Sequence, residues 1–398
     1  MHRVAHRTLT ASSLYRPSSS SSPSPSSSSI GSSLTGLHRR PLSSRASTMS
    51  SQSTSRSNAA PAPAPAQVAP VLPFLTQAET TKLKFTMRPE LLSPELASKY
   101  VHLGLDEGTA AFLEESYNLY GSMVRHYFHS LVMAVLRPVL SMTGVNGLLL
   151  RGQMHVASTE QFAKLLTRSY TGTTAQSNFP AITAPSSAAG ADADAVGGAS
   201  GSSVHLDVDR NSARIPHFGT LLDIGAGDGN VTARLAPMFA SVTTTEASAV
   251  MSWRLAQRGF TSINTLDLHS DPRLLGPFDV ISCLNVLDRC ERPRTLLQDI
   301  RSRLTPKTGR VILAIVLPFR PYVEFASTPE GRQNKPVETV QLTGVCFEQW
   351  AEELIHQLIE PAGFTVEAMG RSPYLCHGDL YRKYYVLDDL LLVLRPRD

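Results

Sequence analysis

The stretch "LLDIGAGDGN", Leu221 to Asn230, limits the possible fold more than any other part of the chain. Its apolar start reads as a buried strand, and "NVTARLAPMFA" after it has a helical pattern. Gly225, Gly227 and Gly229 fill the turn between them. Glycine allows a tight turn and lets backbone come close to a ligand. A strand, a glycine turn and a helix in that order open a doubly wound sheet, whose ligand crevice lies at the strand ends.

The residues downstream keep the alternation. "SVTTTE" reads as a strand, "ASAVMSWRLAQRG" as a helix and "FTSINTLD" as a third strand. The strand "FDVISCLNVL" precedes the helix "PRTLLQDIRSRL", which has Pro293 at its start. "GRVILAIVLPF" and "FEQWAEELIHQLIEPAG" repeat the pair. "FTVEAMGRSPYL" and "YYVLDDLLLVLRP" are separated only by a loop and should form an antiparallel hairpin at an edge. The pattern predicts an α/β domain over 215–398, a parallel sheet with helices on both faces. Upstream, 89–170 is spaced as helices, with Pro138 ending or kinking a long run. A short helix at "STEQFAKLLTRSY" has Ser158 or Thr159 as its cap. This segment is expected to be a helical cap on the domain.

Two segments lack such patterns. Residues 171–203 are low in complexity and read as a disordered insertion in a surface loop. Residues 1–78 are rich in Ser, Pro and Ala, with seven arginines and no acid before Glu79, and are expected to be disordered. That composition also fits an organelle transit peptide; a plain disordered tail is the alternative. The protein is expected inside the cell: in a mitochondrion or plastid if the tail is an address, otherwise cytoplasmic or on endomembranes.

The tail also sets the charge. The chain has 37 basic and 33 acidic residues. Without the tail's seven arginines, 30 face 33, about −3. No nucleic-acid footprint shows in the net charge of the remainder. Cys283, Cys290, Cys346 and Cys376 include no CxxC pair, which argues against a structural zinc and a disulfide framework. The longest apolar stretch is broken by Arg137, Pro138, Gly144 and Asn146 and does not read as a membrane span. A soluble monomer without metal is expected.

The glycine loop departs from the dinucleotide fingerprint. Its spacing is GxGxG, and position 230 is Asn230. Asp223 and Asp228 would repel phosphate, whereas they suit a cation such as S-adenosylmethionine. Glu246, at the end of the next strand, can hold both ribose hydroxyls. The third strand ends near Asp267, whose carboxylate can accept from an adenine amino group.

"LNVLD", Leu284 to Asp288, ends the fourth strand beside that ligand. Methyl transfer needs a nucleophile with a free lone pair, held in line. Asn285 can accept from, or donate to, the donor or the nucleophile. Asp288 can accept an N–H. A carboxylate that takes one ring N–H of an imidazole leaves the other nitrogen's lone pair free and offsets the charge that grows there. The same pair suits an amine or amide. Alternatively, Asp288 is a turn or cap residue ahead of the helix at Pro293.

"LLDIGAGDG", "DVISCLNVLDRC", "RVILAIVLPFRPYVE", "SPYLCHGDLY" and "YYVLDD" together resemble the DREV-type methyltransferase family, as does "LSMTGVNGLLLRGQM". The likeness runs from about Leu113 to Pro396, apart from 171–203. It implies a class I, seven-stranded, Rossmann-like fold that uses S-adenosyl-L-methionine. It implies transfer to the pros nitrogen, Nδ1, of protein histidines in His-x-His segments, giving 1-methylhistidine. Carried over, Asp223, Gly225, Gly227, Gly229 and Glu246 bind the cofactor, Asn285 and Asp288 contact the target histidine, and Tyr385 packs on or bonds to it. Tyr385 could equally be a core aromatic. His377, in "LCHGD", reads as a surface loop histidine, and neither it nor Arg320 is given a catalytic role. Two other readings stay open: transfer to a small imidazole such as a histidine dipeptide, and a pseudoenzyme with a vestigial pocket. The chain has no His-x-His of its own.

Overall fold

The computed structural model describes residues 72–136, 138, 142–149, 151–170, 216–323 and 335–397. All lie in one unit, Ala69–Asp398. The tail up to residue 71 and the 171–203 insertion fall outside the described residues.

Eight strands form one sheet: β1 (Met154–His155), β2 (Phe218–Ile224), β3 (Phe239–Glu246), β4 (Thr261–Asn264), β5 (Val280–Leu284), β6 (Arg310–Val316), β7 (Phe364–His377) and β8 (Tyr384–Pro396). Their order is β1-β7-β8-β6-β5-β2-β3-β4. β2 to β6 run parallel to their neighbours in that set. β8 is antiparallel to both β6 and β7. The sheet is the seven-stranded class I arrangement with β1 added.

The expected hairpin is therefore present, but it does not end the sheet as a simple edge. β8 is inserted between β6 and β7, and β1 pairs with the outer side of β7 through Met154–Cys376 and His155–Leu375. The reason is readable in β8. Leu390 to Leu394 are all fully buried, and a continuous apolar run fits a strand covered on both faces.

Alternation along the strands divides the core. Leu222, Ile281, Leu313 and Leu392 face one helical layer, which includes α9 (Pro293–Ser302) and α10 (Phe347–Leu354). Their neighbours Leu221, Val280, Ala314 and Leu391 face the other, with Phe162, Leu165 and Leu166 of α6 (Thr159–Tyr170). Ser158 caps α6: its Oγ accepts from Gln161 N and Gln161 Oε1 accepts from Ser158 N, both at 3.0 Å. Buried Arg310 ties α6 to the sheet. Its Nε lies 2.6 Å from Glu367 Oε2 and 3.0 Å from Ser169 Oγ.

Other boundaries move. The long helical run breaks at Gly121, φ +74, into α3 (Glu107–Leu119) and α4 (Met123–Leu136), well before Pro138. Order also begins earlier than composition predicts. Leu72 and Leu75 are buried with Phe112 and Leu113, and Thr76 and Glu79 form a capping box on α1 (Gln77–Lys82). Residues 72–78 thus belong to the fold, against the expectation from composition. β4 stops at Asn264, whose Nδ2 donates to the carbonyls of Glu246 and Ala247, so Asp267 falls in an exposed turn beyond the strand. Among the described residues no helix is long and apolar enough to cross a membrane.

Candidate active site

β2 pairs with β3 on one side and β5 on the other, so the strand order reverses between β2 and β5. The carboxyl ends of strands at such a point form the ligand crevice of an open sheet. Here they carry the glycine loop and Asn285.

The loop leaves β2 at Gly225, φ +69. The N–H groups of Gly225 and Ala226 both donate to Thr245 O, at 2.9 and 3.0 Å, and tie the loop to β3. A Cβ at Gly225 would lie 2.6 Å from Val286 Cγ2, so only glycine lets the loop pack on the residue after Asn285. Gly227 has φ +59, and no atom lies within 4 Å of where its Cβ would be. Its backbone faces open space, as close approach of a ligand requires.

Glu246 ends β3 and is 8% exposed. Its Oε2 accepts from Gly227 N and its Oε1 from Ser248 N, both at 2.9 Å. Backbone donors fix the carboxylate, and each oxygen can accept more than one hydrogen bond. That suits two neighbouring hydroxyls.

Asp223 lies beneath the loop, buried. Thr232 Oγ1 donates to one of its oxygens and Ser282 Oγ to the other, both at 2.6 Å. Burial raises its pKa from 3.8 to about 6, against the lowering effect of the two hydroxyls. It braces the loop from inside. Asp228 turns away to accept from the backbone and side chain of Asn230. Asp267 accepts from His269 N at 2.8 Å within its exposed turn.

Asn285 follows β5 in the left-handed region, φ +56, a conformation asparagine tolerates better than most residues. Its N–H donates to Ala314 O at 2.8 Å, and its Nδ2 donates to Asp389 Oδ2 at 2.9 Å. Asp288 is 6% exposed. Its Oδ2 accepts from Arg289 Nε at 3.1 Å, and its carbonyl accepts from Tyr322 N. It does not cap α9: there Arg294 N and Thr295 N donate to Glu338. Asn285 Oδ1, Asp288 Oδ1 and Asp389 Oδ1 are buried and have no hydrogen-bond partner among the described residues. Burial raises the Asp288 carboxyl above its ordinary value. It raises Asp389 much further, and the charge on Asp288 adds to that rise.

A model of the DREV methyltransferase family matches residues 85–180 and 206–396. The chain belongs to the DREV methyltransferase family. A mitochondrial ubiquinone biosynthesis O-methyltransferase from Schizosaccharomyces pombe is 31% identical over 104 residues, 24% of this chain and 37% of that protein. The chain thus spans little more than a third of that relative's length. Among solved structures, the N-methyltransferase NodS from Bradyrhizobium japonicum, in complex with S-adenosyl-L-homocysteine, is 19% identical. It covers 46% of this chain and 80% of its own, with a TM-score of 0.30. The 1,6-didemethyltoxoflavin-N1-methyltransferase of Burkholderia thailandensis is 23% identical over 45% of this chain and 71% of its own, at 0.29.

In this DREV methyltransferase the reversal point brings Asp223, the three glycines, Glu246, Asn285 and Asp288 onto adjoining strand ends. Tyr385 lies on β8, the strand that also carries Asp389. Its hydroxyl donates to Asp379 Oδ2 at 2.6 Å in the β7–β8 turn. It lies four residues before Asp389, roughly 13 Å along the strand. The pattern missed two residues. Asp389 was hidden inside a strand motif. Tyr374, on β7, feels the charges of both Asp288 and Asp389. His377 is not a surface histidine: it ends β7, 4% exposed, and stacks on Phe112 at 4.7 Å. The loop around "CHGD" begins only after it, and β7 carries it into the core. Cys283 is fully buried, and Cys290 Sγ donates to Leu287 O.

Proposed function

We propose that this methyltransferase transfers a methyl group from S-adenosyl-L-methionine to Nδ1 of histidine in His-x-His segments of proteins. S-adenosylmethionine supplies an electrophilic methyl on a sulfonium. The Gly225–Gly229 loop and Glu246 would hold it, with Asp223 keeping the loop in shape and Asp267 near the adenine end. One observation carries the substrate reading. Asn285 Oδ1 and Asp288 Oδ1 are buried acceptors without partners among the described residues, beside the loop. Buried polar atoms call for a donor. An acceptor that brings an N–H for them and a lone pair for the methyl suits this arrangement. A neutral imidazole has one nitrogen of each kind.

The chemistry balances as follows. Asp288 takes the Nε2–H and fixes the tautomer. The Nδ1 lone pair forms the new C–N bond as the C–S bond breaks, and its electrons stay on sulfur. The ring becomes cationic beside the Asp288 carboxylate, which stabilises the charge as it develops. The proton on Nε2 then leaves to solvent. Free imidazole is mostly neutral at pH 7, so no strong base is needed.

The test is transfer of labelled methyl to a His-x-His peptide, the same peptide with alanines, and a histidine dipeptide. Label on the first alone, located at Nδ1, is expected. Label on the dipeptide but not the peptide would replace the protein substrate with a small imidazole. Failure to bind S-adenosylhomocysteine would favour the pseudoenzyme.

A further inference from the structure

Asp389 belongs to the same cluster, yet it comes from the far side of the chain. Asn285 and Asp389 are 104 residues apart. Asp389 is fully buried, opposite Val316 on β6 and Ser372 on β7, so its backbone is held from both sides. Its neighbour Asp388 pairs with Arg371. Among the described residues Asp389 has no such cation.

We propose that Asp389 is a positioning residue for methyl transfer: it holds the Asn285 amide so that the amide oxygen stands with Asp288 as acceptor for the ring N–H. This rests on the imidazole reading above. The two ends of a primary amide are chemically opposite, one donor and one acceptor. Asp389 Oδ2 engages the Nδ2 end at 2.9 Å, and the amide Oδ1 is the end left without a partner among the described residues. The backbone of Asn285 is already fixed by its left-handed φ and its bond to Ala314 O. The bond to Asp389 therefore decides what the side chain presents.

Cost points the same way. A buried carboxyl with no cation is expensive. The next five residues of β8 are apolar and fully buried, so packing alone would be met by another leucine. Burial raises the Asp389 carboxyl above its ordinary value, the bond from the Asn285 amide lowers it, and the charge on Asp288 adds to the rise.

The experiment is a double-mutant cycle of Asp389→Leu and Asn285→Gly, with Asp389→Asn as the conservative variant and Asp389→Ala replacing Leu if that protein does not fold. Glycine keeps the left-handed backbone at 285. Turnover and KM for the His-x-His peptide are measured, together with calorimetric affinity for S-adenosylhomocysteine. Asp389→Leu is expected to lower kcat about tenfold or more with cofactor affinity unchanged, and to cost almost nothing in the Asn285→Gly background. Asp389→Asn keeps an acceptor for Nδ2 and is expected to retain most of the turnover. Additive losses, unchanged kcat, or Asp389→Asn as poor as Asp389→Leu would each overturn the assignment while leaving the substrate reading intact. A wild type inert on the peptide overturns the substrate reading instead. The cycle is then read on imidazole binding to the S-adenosylhomocysteine complex, and equal affinity in all four proteins overturns the role of Asp389 too.

Discussion

The carboxyl beneath the glycine loop should make stability depend on pH with an unusual sign. Folding raises Asp223 from 3.8 to about 6, chiefly by burial. Between those values the native state holds more protons than the unfolded chain. Stability from this group is complete below about pH 4 and is lost as pH rises through about 6. Two units at about 1.4 kcal/mol each make the loss roughly 3 kcal/mol. About 1 kcal/mol of it falls between pH 5 and pH 7. Asp223→Asn keeps the shape and cannot ionise. Urea unfolding of both proteins at pH 5 and pH 7, analysed by linear extrapolation, isolates the effect, because every other titration cancels in the difference. The variant should gain about 1 kcal/mol on the wild type over that interval, whatever its fixed offset. A difference that stays flat, or moves the other way, refutes a carboxyl desolvated in the way described.

Other outcomes follow from the same geometry. Glu246→Ala should weaken S-adenosylhomocysteine binding at least about tenfold, seen by calorimetry, because the loop N–H of Gly227 and the ligand hydroxyls lose one carboxylate. Asp288→Ala should remove most turnover and leave cofactor affinity intact; unchanged turnover would reduce it to a turn residue. Gly227→Ala should cost about 1–2 kcal/mol from its left-handed φ, measurable as a lower urea midpoint, with no clash to relieve. Arg310→Met should cost about 3–5 kcal/mol by leaving Glu367 with a weaker set of partners at the base of the sheet; a loss under about 1 kcal/mol would show Arg395 compensating.

The strands and helices of the parallel half were legible because each carries its own period. Ile224, Cys283 and Leu313 sit in runs too apolar to be anything but covered strands. The hairpin was legible too, and the apolar run of β8 marks a covered strand, but which strands it pairs with is not written in its residues. Composition misplaced the tail boundary because Leu72 and Leu75 are only two residues in a Pro-rich background. Among site residues, the glycine loop and Glu246 sit at element ends, where spacing reveals them. Asp267 reads as a strand end because no Gly or Pro in "NTLD" marks the stop that Asn264 makes. Asp389 escaped notice because it is flanked by leucines, and nothing local says that one strand residue faces an amide 104 positions away. His377 was misread for the opposite reason: its glycine and aspartate neighbours look like a loop.

The insertion of β8 between β6 and β7 has a consequence for how the protein matures. β2, β3, β4, β5 and β6 can pair as they emerge, and the glycine loop with them. β7 cannot join them until Tyr384–Pro396 has paired with β6. Only then does Asn285 gain Asp389. A nascent chain would thus become competent to hold its cofactor before it could orient an acceptor, and catalysis would report that the last strand had docked.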